Sequence, residues 1–223
     1  MLTSEPCRVL LHNKIFKGLN MNIIKSGVIA LAMLAAPLTA SAATVVLTDD
    51  FNGYGDGVNA LNVAADFFAP NWTTTPTLDY IVDNAYGNLC RGTGACVDLD
   101  GSTLNSGILA SVLSFGPGSY SLSYQLFGNG RDGRQTDSVT ISLGSESFTI
   151  SDIAYDADVS GTWVFATSTA GVLSFQNAGG DNVGAVLSSA TLSAVPLPAG
   201  GLLLFAALGG AAALRRRKAP KAA

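Results

Sequence analysis

Two acids, Asp98 and Asp100, are the residues whose spacing is most suggestive of chemistry. They stand in the segment Val97-Asp98-Leu99-Asp100-Gly101, and alternate residues of a strand point to the same face. The two carboxylates could together bind a cation or the hydroxyl groups of a sugar. They could also form a solvated strand face that ends in a glycine turn, and the pattern favours this second interpretation.

Further ligand candidates lie in loop-like segments. Residues 128–134, Gly-Asn-Gly-Arg-Asp-Gly-Arg, form a polar loop that includes Asn129 and Arg131. Loops at one end of a β-sandwich often carry ligand contacts, but charged glycine-rich loops are also ordinary turns, so both interpretations stay open. Trp72 is the aromatic residue that could stack on a sugar ring as an exposed platform, although packing against the core is favoured.

Calcium is the metal that suits these acids. Asp49 and Asp50 stand near the start of the aspartate-rich region and Asp181 near its end. First and last strands often neighbour each other in jelly rolls, so the three carboxylates could meet there. Calcium needs several oxygen ligands at one point, and the prediction of a structural calcium depends on that convergence.

Residues 43–194 lack several side chains that most enzyme classes need for catalysis. This stretch has no His and no Lys, and it carries fifteen acids against Arg91, Arg131 and Arg134, a formal charge of −12. Histidine-based triads, His-containing zinc sites, lysine nucleophiles and P-loops are therefore unavailable. The negative charge also repels nucleic acid. Carboxylate chemistry remains, such as a glycosidase pair of Asp or Glu146, but no pattern supports it and we expect no catalytic residues.

The apolar pattern predicts strands. Residues 119–126 alternate Ser or Gln with Tyr or Leu over eight positions, which together with Phe127 indicates a half-buried strand over 119–127. The same period appears in residues 138–143 and continues beyond a turn at Gly144. Further strands are predicted at 44–47, 78–82, 96–99, 108–115, 162–166, 172–175 and 183–192. About ten short strands separated by turn residues predict an all-β sandwich, most simply a jelly roll.

Cys90 and Cys96 are the two cysteines within residues 43–194. In an exported protein the compartment is oxidising, so we expect them to form a disulfide. Closing so short a loop contributes about 2 kcal/mol in the chain-entropy model. A redox or metal role is the alternative, but C-x5-C without His or further Cys fits neither well.

The amino-terminal region reads as a secretion signal. Residues 21–42 begin with Met21, contain an apolar stretch and end in Ala40-Ser41-Ala42, which matches a site for signal peptidase between residues 42 and 43. Residues 1–20 differ in character from all that follows, so we interpret them as an over-extended start. The exported domain is then predicted to span residues 43–194.

The carboxyl-terminal residues 195–223 form a three-part tail. Val195-Pro196-Leu197-Pro198-Ala199 precedes the uncharged residues 200–214, and Arg215, Arg216, Arg217 and Lys218 open the basic segment 215–223. A helix over residues 200–214 reaches roughly 22 Å, short of the roughly 30 Å hydrocarbon core, so it is a marginal membrane span. The basic cluster marks its cytoplasmic end as a stop-transfer signal.

This order of parts resembles the PEP-CTERM/exosortase sorting signals, in the variant with a VPLPA motif. The resemblance implies export, at least transient membrane anchoring with residues 43–194 outside the cytoplasm, and recognition by an exosortase-type enzyme. Retention of the tail would instead make a single-span membrane protein.

A second resemblance concerns the domain itself. Its segments at 78–81, 97–101, 116–124, 128–129, 173–175 and 180–184 look like the choice-of-anchor type of extracellular domain, which implies a galactose-binding-like jelly roll without established catalytic residues. We therefore expect a structural or adhesive protein of the cell surface or exopolysaccharide that binds carbohydrate. The alternatives are a secreted carbohydrate-active enzyme using Asp carboxylates and an inert matrix component.

Overall fold

The computed structural model describes residues 42–83, 85–92, 94–103, 105–131, 136–196 and 208–210. Residues 42–196 belong to one compact unit of β structure. Its eleven described strands are β1 Thr44–Asp49, β2 Trp72–Thr74, β3 Asp79–Val82, β4 Ala95–Asp98, β5 Ile108–Phe115, β6 Gly118–Phe127, β7 Thr136–Leu143, β8 Glu146–Ala154, β9 Gly161–Thr167, β10 Gly171–Asn177 and β11 Val186–Ala194.

The strands form two antiparallel sheets, as the all-β prediction requires. The first sheet has the order β3-β4-β11-β6-β9, and β1 also pairs with β11. The second has the order β2-β5-β10-β7-β8. On β11, the first residues pair with β4 and the last five with β1, so Val186 lies opposite Asp98 and Ala194 lies opposite Thr44.

The longest alternating segments of the sequence are strands in the structure. In β6 the residues Tyr120, Leu122, Tyr124 and Leu126 are buried, whereas the Ser and Gln residues between them are more exposed. The predicted turn at Gly144 joins β7 to β8, and Gly144 has a φ of 60°. The short strand β2 was not predicted, because three residues are too few to show a period.

The core lies between the two sheets. It is formed by apolar side chains from both sheets, with Leu122, Leu126, Ile141, Leu173 and Phe175 each fully buried. Burying such side chains stabilises the fold by roughly 1.5–3 kcal/mol each before conformational entropy is counted.

A smaller apolar cluster lies on the opposite face of the first sheet. Ile81, Cys96 and Val186 point away from the main core and contact Leu89 and Cys90. Those two residues belong to the segment between β3 and β4, residues 83–94, which we call the stapled loop. The predicted disulfide is confirmed, since Cys90 and Cys96 are joined with an S–S distance of 2.03 Å. The bond ties the stapled loop to β4 and keeps it over the sheet.

Most of the predicted targeting segments lie outside the described residues. This holds for the predicted start and nearly all of the signal peptide, for Ala40, for residues 197–207 and for the basic cluster Arg215 to Lys218. Residues 208–210, within the predicted span, are helical. Among the described residues, no helix has the length and apolar character needed to cross a bilayer.

Candidate ligand-binding site

Asp98 lies on the outer face of β4, as the alternation predicts, but that face is not solvated. The side chain of Asp98 is 1% exposed and that of Asp100 is fully buried. The prediction of a solvated pair is therefore wrong. Loops that follow β6 and precede β11, together with the stapled loop, cover this part of the sheet, which a strand period alone cannot reveal.

Asp98 is the centre of a buried polar network. Its Oδ2 atom lies 2.7 Å from Arg131 Nη2 and accepts a hydrogen bond of 3.0 Å from Asn129 Nδ2. Its Oδ1 atom accepts the backbone N–H groups of Asp100 at 3.2 Å and Gly101 at 3.4 Å. Both carboxylate oxygens are thus satisfied by groups of the protein, as a buried charge requires.

Asn129 and Arg131 hold each other in place. Arg131 Nε donates to Asn129 Oδ1 at 2.5 Å, and Asn129 Nδ2 also donates to the carbonyl oxygen of Gly184 at 2.7 Å. Arg131 Nη2 reaches the carbonyl oxygen of Asn182 at 3.0 Å. The two predicted ligand candidates of this loop therefore fix the loop to β4 and to the segment before β11.

Burial raises the pKa of Asp98 to about 7, and the positive charge of Arg131 opposes that rise. Burial likewise raises the pKa of Asp100. Because Asp98 is enclosed and all its contacts are internal, its chemical role is to position Asn129 and Arg131. It cannot touch a ligand in this arrangement.

A pocket of about 250 Å³ lies beside this network. It is enclosed by the stapled loop on one side and by the loop after β6 on the other. Its lining consists of Tyr86, Gly87, Asn88, Leu89, Arg91, Asn129 and Gly130. The pocket is smaller than the roughly 300–1,000 Å³ typical for drug-sized ligands, so it suits one small polar unit.

The wall of the pocket has an unusual backbone. Tyr86, Asn88 and Arg91 have φ values of 51°, 66° and 53°, in the left-handed region that residues other than glycine rarely adopt. Such conformations persist where surrounding structure imposes them, and they cluster at ligand sites. Here they leave the side chain of Tyr86 51% exposed at the pocket.

Arg91 is held by two contacts at the pocket. Its guanidinium carbon lies 5.2 Å from the centroid of the Phe127 ring, and its Nη2 donates to the carbonyl oxygen of Gly128 at 3.4 Å. The first contact is a cation–π interaction. Together they place a positive charge beside Tyr86 and Asn129.

Trp72 is part of the core, so its prediction as an exposed sugar platform is wrong. The side chain is fully buried, its ring contacts Phe51 and Phe175, and its Nε1 donates to Asp49 Oδ2 at 3.0 Å. Packing was the interpretation that the sequence favoured, and it is the one observed.

The predicted calcium ligands do not share one site. Asp49 is bound by donors of the protein: Phe51 N at 2.8 Å, Tyr54 OH at 2.6 Å, and the side-chain nitrogens of Asn71 and Trp72, each at 3.0 Å. Asp50 is exposed and accepts the N–H of Asn52, and Asp181 accepts that of Val183. Within the described part of the chain, no three His, Cys, Asp or Glu side chains are grouped so as to hold a metal ion.

Sequence reasoning missed three residues that line the pocket, Tyr86, Asn88 and Arg91. A usable signal was present in residues 84–88, Asn-Ala-Tyr-Gly-Asn, because an aromatic residue between turn formers beside a cysteine marks a tethered loop. The partner loop with Asn129 was identified from its composition.

No protein-family model and no curated protein matches this sequence. Among solved structures, the vertex protein P5 of PRD1 is 13% identical, with 40% of this chain and 65% of that one covered and a TM-score of 0.30. The CBM22-1–GH10 modules of a Clostridium thermocellum xylanase, complexed with xylohexaose, are 17% identical, with coverages of 68% and 28% and a TM-score of 0.40.

A Cellvibrio mixtus carbohydrate-binding module from lichenase 5A, in complex with cellotriose, is 12% identical over 67% of this chain and 97% of that chain, with a TM-score of 0.36. This chain spans less than two thirds of the vertex protein and of the xylanase. At these identities and TM-scores the similarities assign neither a family nor a ligand to this protein.

Proposed function

We propose that residues 43–194 form a non-catalytic carbohydrate-binding domain with a galactose-binding-like jelly roll, in a protein exported to the cell envelope or its exopolysaccharide. The observation that carries this proposal is the pocket between the stapled loop and the loop after β6. It combines an exposed Tyr86 ring with the polar side chains of Asn88, Arg91 and Asn129.

These groups suit a sugar because a sugar has both apolar C–H surface and hydroxyl groups. An exposed aromatic ring supplies the apolar contact and Arg and Asn side chains supply hydrogen bonds. Asn129 is 2% exposed and its amide N–H groups are already bound, to Asp98 and to the carbonyl oxygen of Gly184, so it fixes the pocket wall and the hydrogen bonds to a sugar come from Asn88 and Arg91. A wall fixed in this way lowers the entropic cost of binding.

Binding is favoured over hydrolysis by the composition of the pocket. A glycosidase uses a pair of carboxyl groups about 5–10 Å apart on either side of the scissile bond. The described residues that line the pocket include no Asp or Glu, and Asp98 is enclosed beneath it. A carbohydrate-active enzyme is the competing proposal, and release of reducing ends from the producing cell's own polysaccharide by the wild-type protein would establish it.

The test of binding is a glycan array probed with the wild-type protein and with Tyr86→Ala. We expect the wild type to bind a reproducible set of glycans, and the variant to lose at least about 1 kcal/mol of binding free energy with the stacking contact. Phe148→Ala is the matched control, because it removes a ring that is 37% exposed on β8 of the other sheet. An inert wild-type protein, or equal losses in both variants, would refute carbohydrate binding at this pocket.

Export and sorting are proposed from the sequence of the two ends. We propose that signal peptidase cleaves after Ala42 and that an exosortase-type enzyme recognises the segment from Val195 to Ala199. Mass spectrometry of the protein from its native cells tests both steps. We expect an amino terminus near Ala43 and loss of the residues that follow the proline-containing motif, whereas an intact tail would contradict sorting.

A further inference from the structure

We propose that the unit bound in the pocket is an anionic sugar, a uronic acid whose carboxylate pairs with Arg91. This inference rests on the proposed carbohydrate binding and specifies its ligand class. The observation behind this inference is that positive charge lies at the pocket in a domain that has few positively charged residues. Residues 43–194 contain no Lys and only three Arg against fifteen acids, yet Arg91 lines the pocket and Arg131 lies directly next to it.

The two described arginines differ in how their charge is compensated. Arg131 forms an ion pair with Asp98 at 2.7 Å, which is the one ion pair found among the described residues. Arg91 has no carboxylate within salt-bridge distance in that part of the chain. Asp158, which acts on Arg91 only at longer range, directs its Oδ1 to the backbone N–H of Ser160 at 2.9 Å. Within the described part of the chain, the charge of Arg91 at the pocket is therefore not neutralised by an ion pair.

The contacts of Arg91 leave most of its donors available. A guanidinium carries five N–H groups, and the described residues accept one hydrogen bond, from Nη2 to the carbonyl oxygen of Gly128. The cation–π contact with Phe127 restrains the group without using a donor. A planar donor set held in this way can bind a planar carboxylate in a bidentate pair.

The negative charge of the rest of the domain affects which ligands can bind at Arg91. The remainder of the domain is strongly negative, so a polyanion is repelled at long range. Binding then requires a local contact that overcomes the repulsion, and a charge-assisted hydrogen bond beside an aromatic ring supplies one. A neutral sugar can accept hydrogen bonds from Arg91 but forms no ion pair with it.

The inference is tested by titrating the full-length protein with glucuronic acid, galacturonic acid, glucose and galactose. Binding of each sugar is measured by saturation-transfer NMR. We expect the wild type to bind at least one uronic acid roughly tenfold or more tightly than its neutral counterpart, and the difference to shrink as salt is raised. Arg91→Gln should abolish the preference, so that acidic and neutral sugars bind the variant with equal affinity. Arg91→Lys should restore part of it.

The outcomes separate this inference from the proposed function. Equal affinity of the wild type for acidic and neutral sugars overturns the uronic acid and leaves carbohydrate binding in place. Binding of no sugar in the array or the titrations overturns both. Tighter binding of glucose 6-sulfate than of glucuronic acid overturns the carboxylate as the recognised group. Where Arg91→Gln fails to fold, the wild type alone decides, because a preference for the uronic acid that does not weaken with salt overturns the ion pair.

Discussion

Arg131 and Asp98 join the loop after β6 to the end of β4, with Nη2 and Oδ2 2.7 Å apart. The arginine side chain is 31% exposed and the aspartate 1%, so the pair lies at the boundary between the interior and solvent. Asn129 contacts both partners. The pocket wall formed by Asn129 and Gly130 thus depends on an ion pair that no ligand touches.

Removing one partner of this pair should destabilise the domain. Arg131→Met leaves Asp98 enclosed without its cation, which typically costs 3–5 kcal/mol for a fully buried pair. Because Arg131 is partly exposed, we expect about 2–3 kcal/mol. Asp98→Asn in the Arg131→Met background should recover part of the loss. Urea unfolding of the wild type, both single variants and the double variant measures the coupling, and additive effects would show that the pair is not coupled.

The disulfide should stabilise both the fold and the pocket. Replacing Cys90 and Cys96 by Ser removes the constraint on the stapled loop, and we expect a loss of about 2 kcal/mol in the free energy of unfolding. Thermal unfolding of the wild type with and without reductant checks this value. The variant should also lose ligand affinity, since Tyr86 and Arg91 lie on the released loop. Unchanged affinity would mean that the loop keeps its conformation without the bond.

Gly184 tests how closely the loop before β11 approaches β4. A Cβ atom at this position would lie 2.3 Å from the backbone nitrogen of Asp100 and 2.7 Å from Asp98 Oδ1. Gly184→Ala should therefore force backbone shifts and cost roughly 1–3 kcal/mol. Gly116→Ala is the matched control, because nothing lies within 4 Å of its added Cβ. Equal unfolding midpoints for the two variants would contradict the close approach.

Asp137 should make the domain less stable as the pH rises. Burial raises its pKa to about 6, and the charges of Asp181 and Asp100 add to the rise. The native state then holds the proton more tightly than the unfolded state, whose pKa is 3.8. Below about pH 4, ionisation of Asp137 does not change the free energy of unfolding. As the pH rises from about 4 to 6, the free energy of unfolding falls. Asp137→Asn should therefore be more stable than the wild type at pH 7, by roughly 1–2 kcal/mol, and equal to it near pH 3.

A control of opposite sign accompanies this prediction. Hydrogen bonds from Asn52 lower the pKa of Asp50, so Asp50→Asn should bring no gain at pH 7. Thermal unfolding from pH 3 to 8 compares the two variants with the wild type. A gain in both, or in neither, would contradict the assignment to Asp137.

The sheets could be predicted from the sequence because the pattern that identifies a strand lies within the strand itself. An eight-residue alternation such as that of β6 fixes which side chains face inward, and ten of the eleven described strands carried a readable pattern. The disulfide followed from the cysteine count and the compartment. These features depend on neighbouring residues along the chain.

The site could be predicted only in part because its features are set by distant residues. Alternation correctly put Asp98 on the outer face of β4, but burial of that face depends on a loop tethered through Cys90 and on Arg131, 33 positions away. Trp72 lies in a segment that reads as a loop, yet its ring fits between Phe51 and Phe175. Three-dimensional neighbours, rather than composition, decided both outcomes.

The pairing of β1 with β11 has a mechanical consequence. Thr44 lies opposite Ala194, so the chain enters and leaves the sandwich side by side. Val186, at the other end of β11, lies opposite Asp98 and Phe127 in the supports of the pocket. The eight residue steps between Val186 and Ala194 correspond to roughly 26 Å. A force applied to the chain beyond Ala194 would therefore enter the domain at the end of β11 that is remote from the pocket.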